Sequence, residues 1–227
     1  MTVGTKSAEK TFDRFYWEKK LHAEGAKALA GIDEAGRGPL AGPVVAAAVA
    51  LPSSWFDSEL PETLSGINDS KKLSPRKRAL LFDAIRQHPE IRFGLAQVEA
   101  EEIDAINILK ATHRAMALAV EALKGFEADH VLVDGLAVQG LPVPHTPIVK
   151  GDAKSFSIAA ASILAKEHRD RLMMDWDARF PAYGFARHKG YGTPQHRSAI
   201  LEFGPCALHR RSFLGNLQQQ SLFPWND

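Results

Sequence analysis

Cysteine is nearly missing: one thiol, Cys206, stands in 227 residues. An internal disulfide is thereby excluded, and a reducing compartment fits. Long apolar runs are missing too. No stretch reaches the ~18 uncharged residues that a membrane-spanning helix needs. The N-terminus, Met1-Thr2-Val3-Gly4-Thr5-Lys6-Ser7, has no apolar stretch of signal-peptide type. A cytoplasmic protein with no membrane partner is therefore expected. Net charge is almost absent, 28 Lys and Arg against 27 Asp and Glu, so any argument for a nucleic-acid partner must be local. No internal repeat is visible, and the one low-complexity piece is the glutamine run at 218–220. Hydrophobic residues make up 45% and charged residues 24%, which fits an ordinary globular chain with one good core and a small appended piece.

Against that plain background one stretch stands out, Ala30-Gly31-Ile32-Asp33-Glu34-Ala35-Gly36-Arg37-Gly38-Pro39. Residues 29–32 read as a buried strand that ends on two adjacent carboxylates, Asp33 and Glu34. Neighbouring side chains on a regular strand point to opposite faces, so one face can use both acids only if the chain bends there. Gly36 and Gly38 allow the bend and let a ligand approach bare backbone. Arg37 between them is a planar fork suited to phosphate. Metal ions meeting a phosphate is the chemistry these residues suggest; a turn with a solvated acid pair is the plain alternative.

The rest of the chain supplies the surroundings. Residues 1–27 form an N-terminal extension, with Phe12, Phe15, Tyr16 and Trp17 close together on an expected short helix. Residues 43–51 are valine-rich and predict a second strand paired with the first as a hairpin. Residues 52–68 read as a loop. Asn68-Asp69-Ser70-Lys71-Lys72-Leu73-Ser74-Pro75 then leads into a helix to about Gln87, with Ser74 as N-cap and Pro75 at the first helical position. Five bases and no acid lie between Lys71 and Arg78, either a solvated face or a phosphate-backbone contact. A third strand is expected at 91–98 and one helix at 101–123. On that helix Ile106, Leu109, His113, Met116, Val120 and Leu123 mark a buried stripe, with His113 a satisfied core histidine rather than a ligand. A short strand at 130–133 ends at Asp134-Gly135, and Asp152 lies eighteen residues on.

A long helix is expected from Ser155 to about Phe180. Its alanines 159–161 and 165 permit close packing on a sheet. Ser162, Lys166 and Asp170 share one polar stripe, either solvated or turned toward the acids. A glycine-rich loop with aromatics and cations, residues 183–194, precedes a helix opened by Pro194. Between 186 and 215 there are five Lys and Arg (187, 189, 197, 210, 211), three histidines and one acid, Glu202. That local excess reads as an electrostatic footprint, with Tyr191 available to stack on a sugar or base.

Asp33, Glu34, Asp134 and Asp152 come from separate segments. Hard oxygen donors without Cys or regularly spaced His favour Mg²⁺ or Mn²⁺ over zinc. Clustered carboxylates repel unless cations sit among them. Two ions ~3.5–4 Å apart can activate water and steady a leaving oxygen in phosphoester hydrolysis.

Here the motifs resemble a known family. Asp-Glu-Ala-Gly-Arg-Gly-Pro at 33–39, Asn-Asp-Ser-Lys-Lys-Leu at 68–73, Val-Asp-Gly at 133–135, Lys-Gly-Asp-Ala at 150–153, Ala-Ala-Ser-Ile-Leu-Ala-Lys at 160–166 and His-Lys-Gly-Tyr-Gly-Thr at 188–193 resemble ribonuclease HII, the bacterial type 2 ribonuclease H. The resemblance covers about residues 28–215. It implies a ribonuclease H-like α/β fold, a mixed five-stranded sheet flanked by helices with a C-terminal helical appendage that binds substrate. It implies endonucleolytic cleavage of RNA in RNA–DNA hybrids and 5′ to single ribonucleotides in duplex DNA, leaving 3′-hydroxyl and 5′-phosphate ends, in ribonucleotide and RNA primer removal. By the resemblance Asp33, Glu34, Asp134 and Asp152 are catalytic and hold two Mg²⁺ or Mn²⁺ ions. Asp33 would bridge both, and Asp152 would lie near the attacking water. Gly36-Arg37-Gly38 would sense the ribose 2′-hydroxyl, and Tyr191 would meet the deoxyribose after it. Asn68, Lys71, Lys72, Ser162, Lys166 and Lys189 complete the expected substrate contacts.

Type 3 relatives carry a further domain before the first motif, and only 32 residues precede Asp33, so type 2 is expected. In the flexible tail, residues 216–227, Gln219, Leu222 and Phe223 belong to a short peptide like that by which bacterial proteins bind the sliding clamp. A monomer is expected. Two rival functions fit less well. A junction resolvase would not need Gly36-Arg37-Gly38. A non-catalytic hybrid-binding module would gain nothing from an acidic cluster facing a polyanion.

Overall fold

The structure, a computed structural model, describes residues 12–218. Expectations for Gln219, Leu222 and Phe223 lie outside those residues. The chain begins with α1 (Tyr16–Ala23), followed by the hairpin β1 (Leu29–Ala35) and β2 (Val44–Ala50). Next come α2 (Pro75–Gln87), β3 (Arg92–Val98), α3 (Ala100–Ile106) and α4 (Ile108–Glu121). Two short strands come next, β4 (His130–Asp134) and β5 (His145–Ile148), then the long α5 (Phe156–Arg179). The appendage is α6 (Phe185–His188), α7 (Pro194–Phe203) and α8 (Gly215–Gln218).

The five strands form one mixed sheet in the order β3-β2-β1-β4-β5. β3, β2 and β1 pair antiparallel, while β1, β4 and β5 run parallel. Every residue of β2 is buried; such an unbroken apolar strand needs cover on both faces. Alternation along β1 and β2 divides the core into two. Leu29, Val45, Ala47 and Val49 pack with Ile158, the alanines of α5 and Leu81 and Phe82 of α2. Ala30, Ile32, Val44, Ala46 and Ala48 pack with Ala111, Ala115 and Ala119 of α4. A Cβ on Gly31 would lie 2.3 Å from the Ile158 nitrogen, so only glycine lets the start of α5 lie on β1. A third cluster, with Ala41, Met173, Tyr183, Phe185 and Ile200, binds the appendage to the far end of α5.

Three expectations need correction. First, β1 does not end at Asp33: Asp33, Glu34 and Ala35 still pair with Ala47, Ala46 and Val45, because β2 is long enough to continue the ladder. Second, the single helix at 101–123 is two. Asn107 takes a left-handed φ of 70° and its side chain accepts the Leu109 and Lys110 N–H groups, capping a new helix. Third, the expected stripe holds only in part: Met116, Val120 and Leu123 are buried in the core as expected. Leu109 is 52% exposed and His113 half-buried, while the small residues Ala111, Ala115 and Ala119 face the sheet. His113 is satisfied, as expected, its Nδ1 accepting the Gln139 N–H at 3.3 Å.

Candidate active site

Parallel pairing sets Ile32 of β1 beside Val133 of β4, so the next residues along, Asp33 and Asp134, come level on adjacent strands. Asp134 Oδ1 accepts the Gly151 N–H at 2.6 Å, tying the short 3₁₀ turn Gly151–Ala153, and with it Asp152, to the end of β4. Glu34 adjoins Asp33 and forms an ion pair with Arg37 at 3.4 Å. The four acids therefore meet at one end of the central strands.

Their electrostatics are strained. Asp33 is 6% exposed; burial, then the charges of Glu34 and Asp134, hold its carboxyl well above the usual range, against a hydrogen bond from Ser162. Glu34 is raised by burial and Asp134, with Arg37 and Lys71 opposing. Asp152 is raised by burial, Asp134 and Asp69, with Lys71 again opposing. Burial works against the charge of Lys71, yet Asp33, Asp69, Asp152 and Asp134 together raise its pKa. One ammonium thus serves five carboxylates, Glu34 among them. Among the described residues no three His, Cys, Asp or Glu side chains form a ready-made ion cage. The donor chemistry, carboxylate oxygens that destabilise one another, nonetheless fits hard divalent cations.

Beside the acids lies an open cavity of ≈ 320 Å³. Asp33, Glu34 and Gly36-Arg37-Gly38 line it together with Ser70, Lys71, Ser162, Lys166 and Tyr191. Ser70 and Ser162 are hydrogen-bonded at 2.8 Å, joining α5 to the loop before α2. Lys166 lines the cavity while pairing with Asp170 at 2.6 Å. Asp170 faces Arg78 at 3.1 Å, so the polar stripe on α5 is shared between the cavity and a buried ion-pair network.

The other expected contacts sit further out. Asn68 is exposed and its side chain accepts the Asp69 N–H at 2.8 Å. Lys72 is exposed and 3.9 Å from Asp69. Lys189 turns its ammonium to the Ala186 carbonyl. Of the five bases at 71–78, Arg78 points inward to Glu167 at 3.2 Å and Asp170, which leaves Lys71, Lys72, Arg76 and Lys77 on the surface.

The footprint expected at 186–215 is also smaller than its count. His188, His196, His209 and Arg210 are buried. The histidines form a proton-ordered chain. A carbonyl only accepts, so His196 Nδ1 donates to the Tyr191 oxygen at 3.0 Å. Its Nε2 then accepts from His209 Nε2 at 3.0 Å, and His209 Nδ1 accepts the Cys206 N–H at 2.9 Å. Both rings are thereby neutral, and burial lowers each pKa to about 4.

Two arginines that the sequence reading did not single out shape the glycine loop. Arg210 is fully buried and donates to the carbonyls of Gly36 at 2.6 Å, Arg37 at 3.0 Å and Gly42 at 2.9 Å. Arg169 donates to Pro43 at 2.9 Å, Ala41 at 3.0 Å and Lys189 at 2.9 Å. These bonds hold the carbonyls of the loop and join it to the loop of Tyr191. Gly36 has φ 98°, and a Cβ there would meet Arg169 Nε at 2.2 Å. A signal for Arg169 existed: with Ser162 and Lys166 it completes an i, i+4, i+7 face. None existed for Arg210.

A family model described as Ribonuclease HII matches residues 30–215. The chain belongs to the ribonuclease HII family. It is therefore an endoribonuclease with the ribonuclease H-like fold. A curated relative, ribonuclease HII of Syntrophotalea carbinolica, is 52% identical over 200 residues, 88% of this chain and 91% of that one. Among solved structures, the ribonuclease H2 from Pyrococcus horikoshii superposes with a TM-score of 0.71 at 25% identity, covering 86% of this chain and 98% of the other. A second, from a PCNA:RNase HII complex of Archaeoglobus fulgidus, gives 0.65 at 28% identity, with 82% and 94% covered. Among the described residues no helix is long and apolar enough to cross a membrane.

Proposed function

We propose that this chain hydrolyses the RNA strand of RNA–DNA hybrids and cuts 5′ to single ribonucleotides in duplex DNA, leaving 3′-hydroxyl and 5′-phosphate ends. One observation carries the reading: Asp33, Glu34 and the bare backbone of Gly36-Arg37-Gly38 line one cavity. Asp134 and Asp152 lie outside its lining, with Asp134 close enough to act electrostatically on Asp33, Glu34 and Asp152. A ribose seated against that loop puts its own 5′ phosphodiester beside the acids. The 2′-hydroxyl both donates and accepts, and it separates RNA from DNA. Arg169 and Arg210 hold the loop carbonyls, which fixes the shape the loop presents to a ligand.

In this reading Asp33, Glu34, Asp134 and Asp152 hold Mg²⁺ or Mn²⁺. The bound ions supply Lewis acidity and a nucleophilic water at neutral pH. The chain does the rest. Arg37 and Lys166 offer charge to the phosphate, Tyr191 stacks on the neighbouring sugar, and Lys71 balances the acids until substrate arrives. The water oxygen bonds to phosphorus as the water gives up a proton to solvent, the bond to the upstream 3′ oxygen breaks, and that oxygen takes up a proton from solvent as it leaves. Residues 28–215 then form the catalytic unit, acting as a monomer, and the peptide with Gln219, Leu222 and Phe223 is proposed to contact a sliding clamp. The archaeal complex with PCNA is what supports that contact.

Asp134→Asn tests the assignment. Cleavage of a hybrid should vanish while binding in a gel-shift assay is kept or strengthened, because a charge repelling the phosphates has gone. A variant that still cuts at the wild-type rate would refute the carboxylate assignment.

A further inference from the structure

We infer that the segment at residues 13–23, which precedes the part matched by the family model, is a working part of the active site: Arg14 and Glu18 are positioning residues for Asp152. The inference rests on the reading of Asp152 as a functional carboxylate.

Arg14 spans two loops of the site. Its Nη1 donates to the Ile67 carbonyl at 2.5 Å and its Nη2 to the Asp152 carbonyl at 2.9 Å. Ile67 immediately precedes Asn68-Asp69-Ser70-Lys71, so one planar fork sets the distance between the loop carrying Lys71 and the turn carrying Asp152. The fork is itself fixed. Its guanidinium lies 4.3 Å over the ring of Phe156, and the Arg14 carbonyl accepts the Phe156 N–H at 3.2 Å.

Glu18, one helical turn further on, grips the start of α5. It is 1% exposed. Its Oε1 accepts Ser155 Oγ at 2.6 Å, Ser157 Oγ at 2.8 Å and the Ser157 N–H at 3.2 Å. Ser155 is the N-cap, accepting the Ile158 N–H, and its own N–H donates to Gly151 at 2.8 Å. A carboxylate at a helix N-terminus also complements the helix dipole. Burying a carboxylate is costly without such partners, and both partner serines, Ser155 and Ser157, lie within five residues of Asp152. A helix that served only to cover the sheet would need apolar contacts such as Phe15 on Phe156, not a buried acid and a carbonyl-bridging fork.

The test uses the full chain with Arg14→Met, Arg14→Lys and Glu18→Gln, beside Asp152→Asn. Partners that orient a metal-ligand group typically change affinity or activity by about 10–100-fold. Arg14→Met should lower kcat on a hybrid substrate by about that factor, with KM for the hybrid unchanged. Mn²⁺ affinity measured by calorimetry on the protein alone should fall in parallel, and Arg14→Lys, which can keep one of the two bonds, should lie between. Glu18→Gln keeps the shape of the side chain and should show the same pattern, smaller. Thermal melts fix a temperature at which every variant is folded. Wild-type kcat and Mn²⁺ affinity in folded Arg14→Met and Glu18→Gln, with Asp152→Asn inactive, would overturn the inference and leave the reading of Asp152 intact. A fully active Asp152→Asn would overturn both.

Discussion

Arg210→Met is the substitution whose cost the structure sets most clearly. It removes a buried guanidinium and leaves the carbonyls of Gly36, Arg37 and Gly42 without their donor. Hydrogen bonds to a charged group each contribute about 1.5–3 kcal/mol net. Against them stands the charge itself. Burial, then the neighbouring Arg169, draws the Arg210 pKa down to about 9, and methionine escapes that penalty. Apolar replacements of buried ions are sometimes neutral for this reason. Here the partners are carbonyls that stay behind, and unpaired buried acceptors cost about 1–3 kcal/mol each. The expected net loss is about 2–4 kcal/mol, read from the urea midpoint at constant m. Function should suffer unevenly. The loop is proposed to read a lone 2′-hydroxyl, so cleavage at a single ribonucleotide should fall further than cleavage of continuous hybrid. A change below about 0.5 kcal/mol, the ordinary surface range, together with an unchanged ratio of the two rates, would refute the reasoning.

Two further outcomes depend on the charges. His196 and His209 are neutral in the fold with pKa values near 4, against an ordinary 6.5. A depressed histidine stabilises the fold fully above its unfolded pKa, and that contribution is lost as pH falls from about 6.5 toward 4. Urea midpoints across that range should therefore drop, and His196→Phe should flatten the drop; an equal slope in both proteins would count against the buried pair. Mg²⁺ or Mn²⁺ should raise the melting temperature by relieving repulsion among Asp33, Glu34, Asp134 and Asp152, and Asp134→Asn should shrink that rise, as measured by calorimetry with and without EDTA.

The features legible in the sequence had local causes. One cap announced itself: Ser74 accepts the Lys77 N–H as expected, and Ser155 and Thr193 cap their helices in the same way. The acid pair before Gly36 and the hairpin could be read from side-chain type and spacing, while the appendage followed from the family resemblance. The misreadings involve partners far along the chain. Arg78 and Arg210 count as surface charge in any window of sequence, and only the fold supplies Glu167, Asp170 or the loop carbonyls that take them inside. Asn107 broke a helix because its own side chain caps α4, while the apolar rhythm ran on across it. The partners of Arg14 and Glu18 lie more than fifty residues away, so the extension read as an unassigned helix.

The most direct test of the central claim is cleavage of a labelled DNA duplex carrying one ribonucleotide, with Mg²⁺ or Mn²⁺, mapped to the nucleotide. A metal-dependent cut 5′ to the ribonucleotide, and none on all-DNA duplex, is expected. Cleavage of continuous RNA–DNA hybrid with no cut at the single ribonucleotide would contradict the role given to Gly36-Arg37-Gly38.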